Sequence, residues 1–209
     1  TIRLSGLEFS RTADYFAYGI SHGGSDWEEF FVRETATGKQ LPDHIRWAKI
    51  SGTSWYKEGF FYSGYDAPAD TTTALISKNE NHKVYYHRVG TDQSKDELVY
   101  ADPAHPLRFN NISVTDDERF LILYVSDRGT GKDGNAVYVR DTHAGAKTFL
   151  PVVTGFDDNC TVIDNLGDRL LLLTNRKATR YRLVLVDPAH PGEESWTEIL
   201  PEQPETLTS

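Results

Sequence analysis

Apolar residues recur along this chain with a period of two, in short runs of Val, Ile, Leu, Tyr and Phe separated by clusters of Gly, Asp, Asn, Thr and Pro. Side chains alternate between the faces of a strand, so the pattern predicts half-buried strands joined by turns. No window of a dozen residues keeps a helical stripe. The nearest, Trp27-Glu28-Glu29-Phe30-Phe31, ends at Thr35-Ala36-Thr37-Gly38, which reads as a hairpin turn. The predicted class is all-β.

The strands form a loose repeat. An apolar strand, a polar turn and a second, more hydrophobic strand recur four times, with the second strands at Tyr15-Phe16-Ala17-Tyr18, Phe60-Phe61-Tyr62-Ser63, Phe120-Leu121-Ile122-Leu123-Tyr124 and Arg169-Leu170-Leu171-Leu172-Leu173. A third strand follows each pair, then a weaker fourth, such as Lys39-Gln40-Leu41 or Trp196-Thr197-Glu198-Ile199-Leu200. From Tyr18 to Tyr62, Leu123 and Leu172 the steps are 44, 61 and 49 residues. The long step holds an insertion, Asp66 to Asn81, whose Thr- and Asp-rich composition predicts a surface loop. Four strands per repeat of this length is the pattern of a β-propeller blade, because a lone four-stranded sheet leaves both faces uncovered and stacked blades cover them. The expectation is a single β-propeller fragment over 1–209, with four four-stranded blades at roughly 1–48, 49–103, 104–154 and 155–209. Four blades without a closing strand suit an open arc cut from a larger ring. Such an arc leaves two blade faces bare and is expected to self-associate.

Composition narrows the function. The 209 residues carry a net charge of −9 with no basic stripe, which argues against nucleic-acid binding. The mean hydropathy is −0.51, and no apolar run approaches the roughly 20 residues that a membrane helix needs. One cysteine, Cys160, leaves no intrachain disulfide and fits a reducing, cytoplasmic compartment. The chain starts at Thr1 and has no Met, so an excised internal fragment is expected. The sequons at Asn111-Ile112-Ser113 and Asn159-Cys160-Thr161 are read as chance matches.

Candidate chemistry is sparse. Gly19-Ile20-Ser21-His22-Gly23-Gly24 mimics the G-x-S-x-G turn of a serine hydrolase, with Ser21 as nucleophile. That turn must feed a helix, and here the pattern returns to strand by Val32, so no catalytic residue is assigned. The seven histidines are scattered without ligand spacing and are read as solvated turn residues; no metal or cofactor is expected. Asp116-Asp117 and Asp157-Asp158 fit turn-forming Asx chemistry, and the Trp and Tyr residues are expected to pack between blades.

Several phrases together resemble the propeller of the prolyl oligopeptidases, serine peptidases that cleave short peptides after proline. They are Tyr15-Phe16-Ala17-Tyr18-Gly19, Gly24-Ser25-Asp26-Trp27, Leu41-Pro42-Asp43, Ser54-Trp55 with Gly59-Phe60-Phe61-Tyr62-Ser63, Lys83 to Ser94 (KVYYHRVGTDQS), Val114 to Arg119 and Thr174-Asn175-Arg176. They occur in order over essentially the whole chain. The resemblance implies a seven-bladed propeller capping an α/β-hydrolase domain that carries the Ser, Asp and His, with a cavity admitting short proline-containing peptides. It implies that this chain is inert alone. Asp26 resembles the acidic residue that meets an arginine of the catalytic domain. Ile50 matches a cavity-lining apolar position, often Phe in the family. Arg128, in the loop from Ser126 to Gly134, resembles a residue facing the active site. The alternative is a stand-alone propeller binding a protein or glycan partner.

Overall fold

The structure is a computed structural model and describes residues 1–68 and 79–208. Residues 69–78 of the expected surface loop therefore lie outside the described residues. The strands number sixteen among the described residues: β1 Ile2–Phe9, β2 Tyr15–His22, β3 Trp27–Glu34, β4 Gln40–Lys49, β5 Ser54–Tyr56, β6 Gly59–Gly64, β7 Lys83–Arg88, β8 Glu97–Tyr100, β9 Arg108–Val114, β10 Phe120–Asp127, β11 Asn135–Asp141, β12 Leu150–Val153, β13 Cys160–Leu166, β14 Arg169–Thr174, β15 Arg182–Val186 and β16 Thr197–Leu200. They group in fours in chain order, as the repeat predicts.

The chain divides into two compact units, Thr1–Ile112 and Ser113–Ser209. In the first, β1–β4 and β5–β8 are successive meanders, joined into one sheet by a single pairing, Ala48 with Gly64. The second holds two separate four-stranded sheets, β9–β12 and β13–β16, with β9 beginning before the boundary. Each unit has its own core. Ala17, Phe30, Val32, Ile45, Ala48, Trp55, Phe60 and Tyr62 pack together in the first, so both meanders contribute to it. In the second, Phe120, Ile122, Val137 and Val139 meet Val162, Leu170, Leu172, Val184 and Val186. A buried side chain of this size contributes about 2 kcal/mol.

Strand β4 departs from the expectation of a weak edge. It runs for ten residues and buries Asp43, Ile45 and Ala48. Its polar composition hides this, because Asp43 is buried as a partner of His87 rather than as an apolar side chain. Strand β1 has the opposite character. Ile2, Leu4, Leu7 and Phe9 are all exposed, opposite His22, Ile20, Tyr18 and Phe16 of β2. The register shift between Leu4 and Gly6 leaves Ser5 as an extra residue and keeps those four apolar side chains on one face.

Candidate functional site

The Tyr15–Trp27 stretch folds as strand, turn and strand. Gly19 and Ser21 lie inside β2, not in the turn, and Ser21 is buried opposite Arg3 and Glu28. The turn sits two residues later, where Gly23 and Gly24 take positive φ of 60° and 77°, a region open to glycine. β3 follows where a nucleophile elbow would place a helix. The Ser25 hydroxyl accepts a hydrogen bond from the Trp27 N–H at 3.1 Å, which closes the turn locally.

This turn presents Asp26, whose side chain is 79% exposed with its carboxylate 3.5 Å from Lys49 Nζ. The Lys49 ammonium in turn lies 5.3 Å from the centre of the Trp27 ring. One residue on, Ile50 is 46% exposed with φ of 51°. A β-branched residue in the left-handed region is strained, and such strain clusters at functional positions. Asp26 and Ile50 thus line one depression of about 270 Å³, together with Arg3, Ser21, Glu28 and Lys49. Sequence reasoning missed Glu28. Burial pushes its carboxyl above the usual range, against the Ser5 hydroxyl and the Arg3 charge, which pull it down. Arg128 lies in the other unit. It opens a short 3-10 turn, Arg128–Thr130, capped by the Asp127 carboxylate, which accepts from the Gly129 N–H at 2.9 Å, and it is exposed there.

The histidines correct the expectation that all seven are solvated turn residues: His82 and His87 are buried. His82 accepts from the Asn110 N–H through Nδ1 at 3.0 Å and donates from Nε2 to the Lys49 carbonyl at 2.8 Å. That pattern fixes a neutral ring. His87 sits between two carboxylates, with Nε2 2.9 Å from Asp43 and Nδ1 2.7 Å from Asp96. Burial alone would lower its pKa, but the two acids hold it up at about 9. Burial likewise pushes Asp43 up, and the hydrogen bonds from His87 and the Gly90 N–H outweigh it, leaving Asp43 below the usual carboxylate range. His87 is therefore an imidazolium donating from both nitrogens. Both ring nitrogens of each buried histidine are engaged, and none of these partners is a serine hydroxyl. Among the described residues no group of three His, Cys, Asp or Glu is arranged to hold a metal ion.

The Lys83 to Ser94 phrase has a structural explanation. Gln93 donates to the Arg46 carbonyl at 2.9 Å and accepts from the Arg46 N–H at 3.0 Å. It also donates to the Tyr62 hydroxyl at 3.2 Å, which itself donates to Asp96 at 2.8 Å. The phrase ties the second meander to β4 of the first.

Comparison with known proteins agrees with this architecture. The family model described as the N-terminal β-propeller domain of prolyl oligopeptidase matches residues 1–209. A prolyl endopeptidase of Elizabethkingia meningoseptica is 38% identical over 208 residues, covering 99% of this chain and 29% of that protein. Prolyl oligopeptidase A of Amanita bisporigera is 32% identical over 230 residues, 100% of this chain and 30% of the relative. A solved prolyl endopeptidase superposes with a TM-score of 0.83 at 28% identity, over 100% of this chain and 29% of that one. Prolyl oligopeptidase B of Galerina marginata, solved with a 35-residue substrate, gives 0.83 at 26% identity, over 97% of this chain and 29% of that one. The chain thus spans under a third of the length of these relatives. It belongs to the prolyl oligopeptidase family and corresponds to part of its N-terminal β-propeller domain.

Proposed function

We propose that this chain is the propeller portion of a serine-type, cytoplasmic prolyl oligopeptidase that hydrolyses short peptides after proline. Its four meanders serve as four blades, at roughly 1–48, 49–103, 104–154 and 155–209, of a seven-bladed ring capping an α/β-hydrolase domain. The ring gates substrates by size and forms one wall of the reaction cavity. Asp26 latches the propeller to an arginine of the catalytic domain, and Ile50 and Arg128 face the peptide. The nucleophile, base and oxyanion donors come from the hydrolase domain, so the propeller portion is inert by itself. The observation that carries this reading is the family match over the whole chain, with Asp26 and Ile50 in one depression.

The test uses the full-length protein with a chromogenic peptide ending in proline. Cleavage after proline is expected, and Asp26→Ala is expected to lower kcat/KM about tenfold, the effect of losing one charge-assisted contact. Ile50→Phe should shift KM more than kcat. A full-length protein that leaves the peptide intact would sink the proposal.

A further inference from the structure

The first unit holds a second cavity, of about 550 Å³, within the size range of small-ligand sites. It shares no lining residue with the Asp26–Ile50 depression. Its walls are Trp47, Tyr62, Tyr65, Tyr85 and Pro42, with Arg46 alongside.

These walls are set in advance. Trp47 takes φ of 62°, a strained conformation for a bulky aromatic residue. Gly64 permits it, because a Cβ there would come within 2.4 Å of the Trp47 carbonyl oxygen. The Tyr65 N–H donates to that same oxygen at 3.0 Å. Tyr62 and Tyr85 stack with centroids 5.5 Å apart and planes 21° from parallel. Asp96 holds the Tyr62 hydroxyl, and the Tyr85 hydroxyl donates to Asp66 at 3.0 Å. Gln93 pins the Arg46 backbone from both sides.

The charges leave one donor group open. Asp66 is neutralised by Lys83 at 2.5 Å, and Asp92 accepts from the N–H and hydroxyl of Ser94 at 2.9 and 2.6 Å. Arg46 is exposed. Its guanidinium reaches the ring of His44 at 3.4 Å, and no carboxylate of the described residues lies within ion-pair distance. Aromatic faces carry negative charge and attract the weakly positive C–H groups of a pyrrolidine ring. A proline-bearing strand is already extended, so little order is lost on docking, and aromatic-lined grooves recognise it for that reason. Its carbonyls, which find few N–H partners within the peptide, would accept from Arg46.

We propose that this cavity is an auxiliary binding site for an extended, proline-containing peptide segment, separate from the place of cleavage. The proposal rests on the reading that the full-length protein acts on prolyl peptides. A 35-residue peptide such as that bound by the Galerina relative spans about 120 Å when extended. That length exceeds what one catalytic centre contacts and leaves a segment for a second site.

The experiment uses the full-length protein after treatment with a fluorophosphonate, titrated with a blocked decapeptide containing four prolines and followed by tryptophan fluorescence and calorimetry. Saturable binding is expected, weakened about tenfold by Arg46→Ala and partly restored in Arg46→Lys, as loss and recovery of one charged hydrogen bond would do. The same decapeptide with alanine in place of proline should bind at least about tenfold more weakly. Trp47→Leu adds a wall variant, and Arg46→Ala carries the test if that variant fails to fold, since the arginine side chain is exposed. Absence of binding, equal binding of the alanine peptide, or unchanged affinity in Arg46→Ala would each overturn the proposal. Prolyl cleavage by the untreated protein is scored separately, so a failure of the peptidase reading shows there and not in the titration.

Discussion

His87 shows how much one residue depends on distant parts of the chain. Its two acids, Asp43 and Asp96, stand 44 and 9 positions away. The folded pKa of about 9 lies above the ordinary 6.5. The stabilisation is therefore complete below pH 6.5 and is lost as pH rises through about 9. Asp43, held low, contributes in the opposite sense, with its share lost as pH falls through its lowered value. Urea midpoints of the 209-residue chain should stay level just below pH 6.5 and decline between 6.5 and 9. His87→Gln is expected to cost about 3 kcal/mol, as breaking a buried pair does, and to flatten that decline. A decline of equal slope in the variant would refute the assignment. Nothing near His87 in the chain signals its burial, which is why the histidines read as solvated. The turn that presents Asp26 was legible because its glycines are local in the chain, whereas the burial of Glu28 was not, since its carboxyl meets Ser5 and Arg3 across the sheet.

At the scale of elements, side-chain amides tie one meander to the next, in the first unit beside the single backbone pairing of Ala48 with Gly64. Gln93 pairs with the N–H and C=O of Arg46, and Asn135 does the same to Cys160, at 3.0 and 2.9 Å. A carboxamide carries one acceptor and a donor group, so it imitates one peptide unit without extending the sheet. Asn135→Asp keeps the shape but turns a carboxylate oxygen toward the Cys160 carbonyl. A loss of about 1–3 kcal/mol in unfolding free energy is expected, measured by chemical denaturation, and a neutral outcome would count against the connector role. The strand pattern was legible from alternation alone, and all four meanders stand in their expected order. The connectors were not, because an amide in a turn looks the same whether it faces water or another sheet. For the same reason β4 looked weak: its buried polar residue, Asp43, takes a partner that alternation does not reveal.

Over the whole molecule, each unit has its own core, and in the first the leading strand offers Ile2, Leu4, Leu7 and Phe9 to solvent. Phe9 continues into Phe16, Tyr18 and Phe31 through ring contacts of 5.6, 6.1 and 5.6 Å. A contiguous apolar face of this kind marks an interaction surface, and in the proposed ring the preceding blade would cover it. The 209-residue chain is accordingly expected to self-associate, with its weight-average sedimentation coefficient rising with concentration. Leu4→Lys and Leu7→Lys together should suppress the rise. A concentration-independent profile for the unmodified chain would remove the argument.

The extra residue in β1 has a genetic consequence. Deleting the single codon for Ser5 preserves the reading frame and every apolar residue, and it makes Gly6 follow Leu4 directly, so the pairing with β2 would run without a break. Ile2, Leu4, Leu7 and Phe9 would then keep their common face by plain alternation, and only the local bend that the extra residue gives the strand would go. A one-residue deletion that turns half of a regular strand inside out would thus leave the facing of this edge unchanged, because the strand already carries one residue more than its partner.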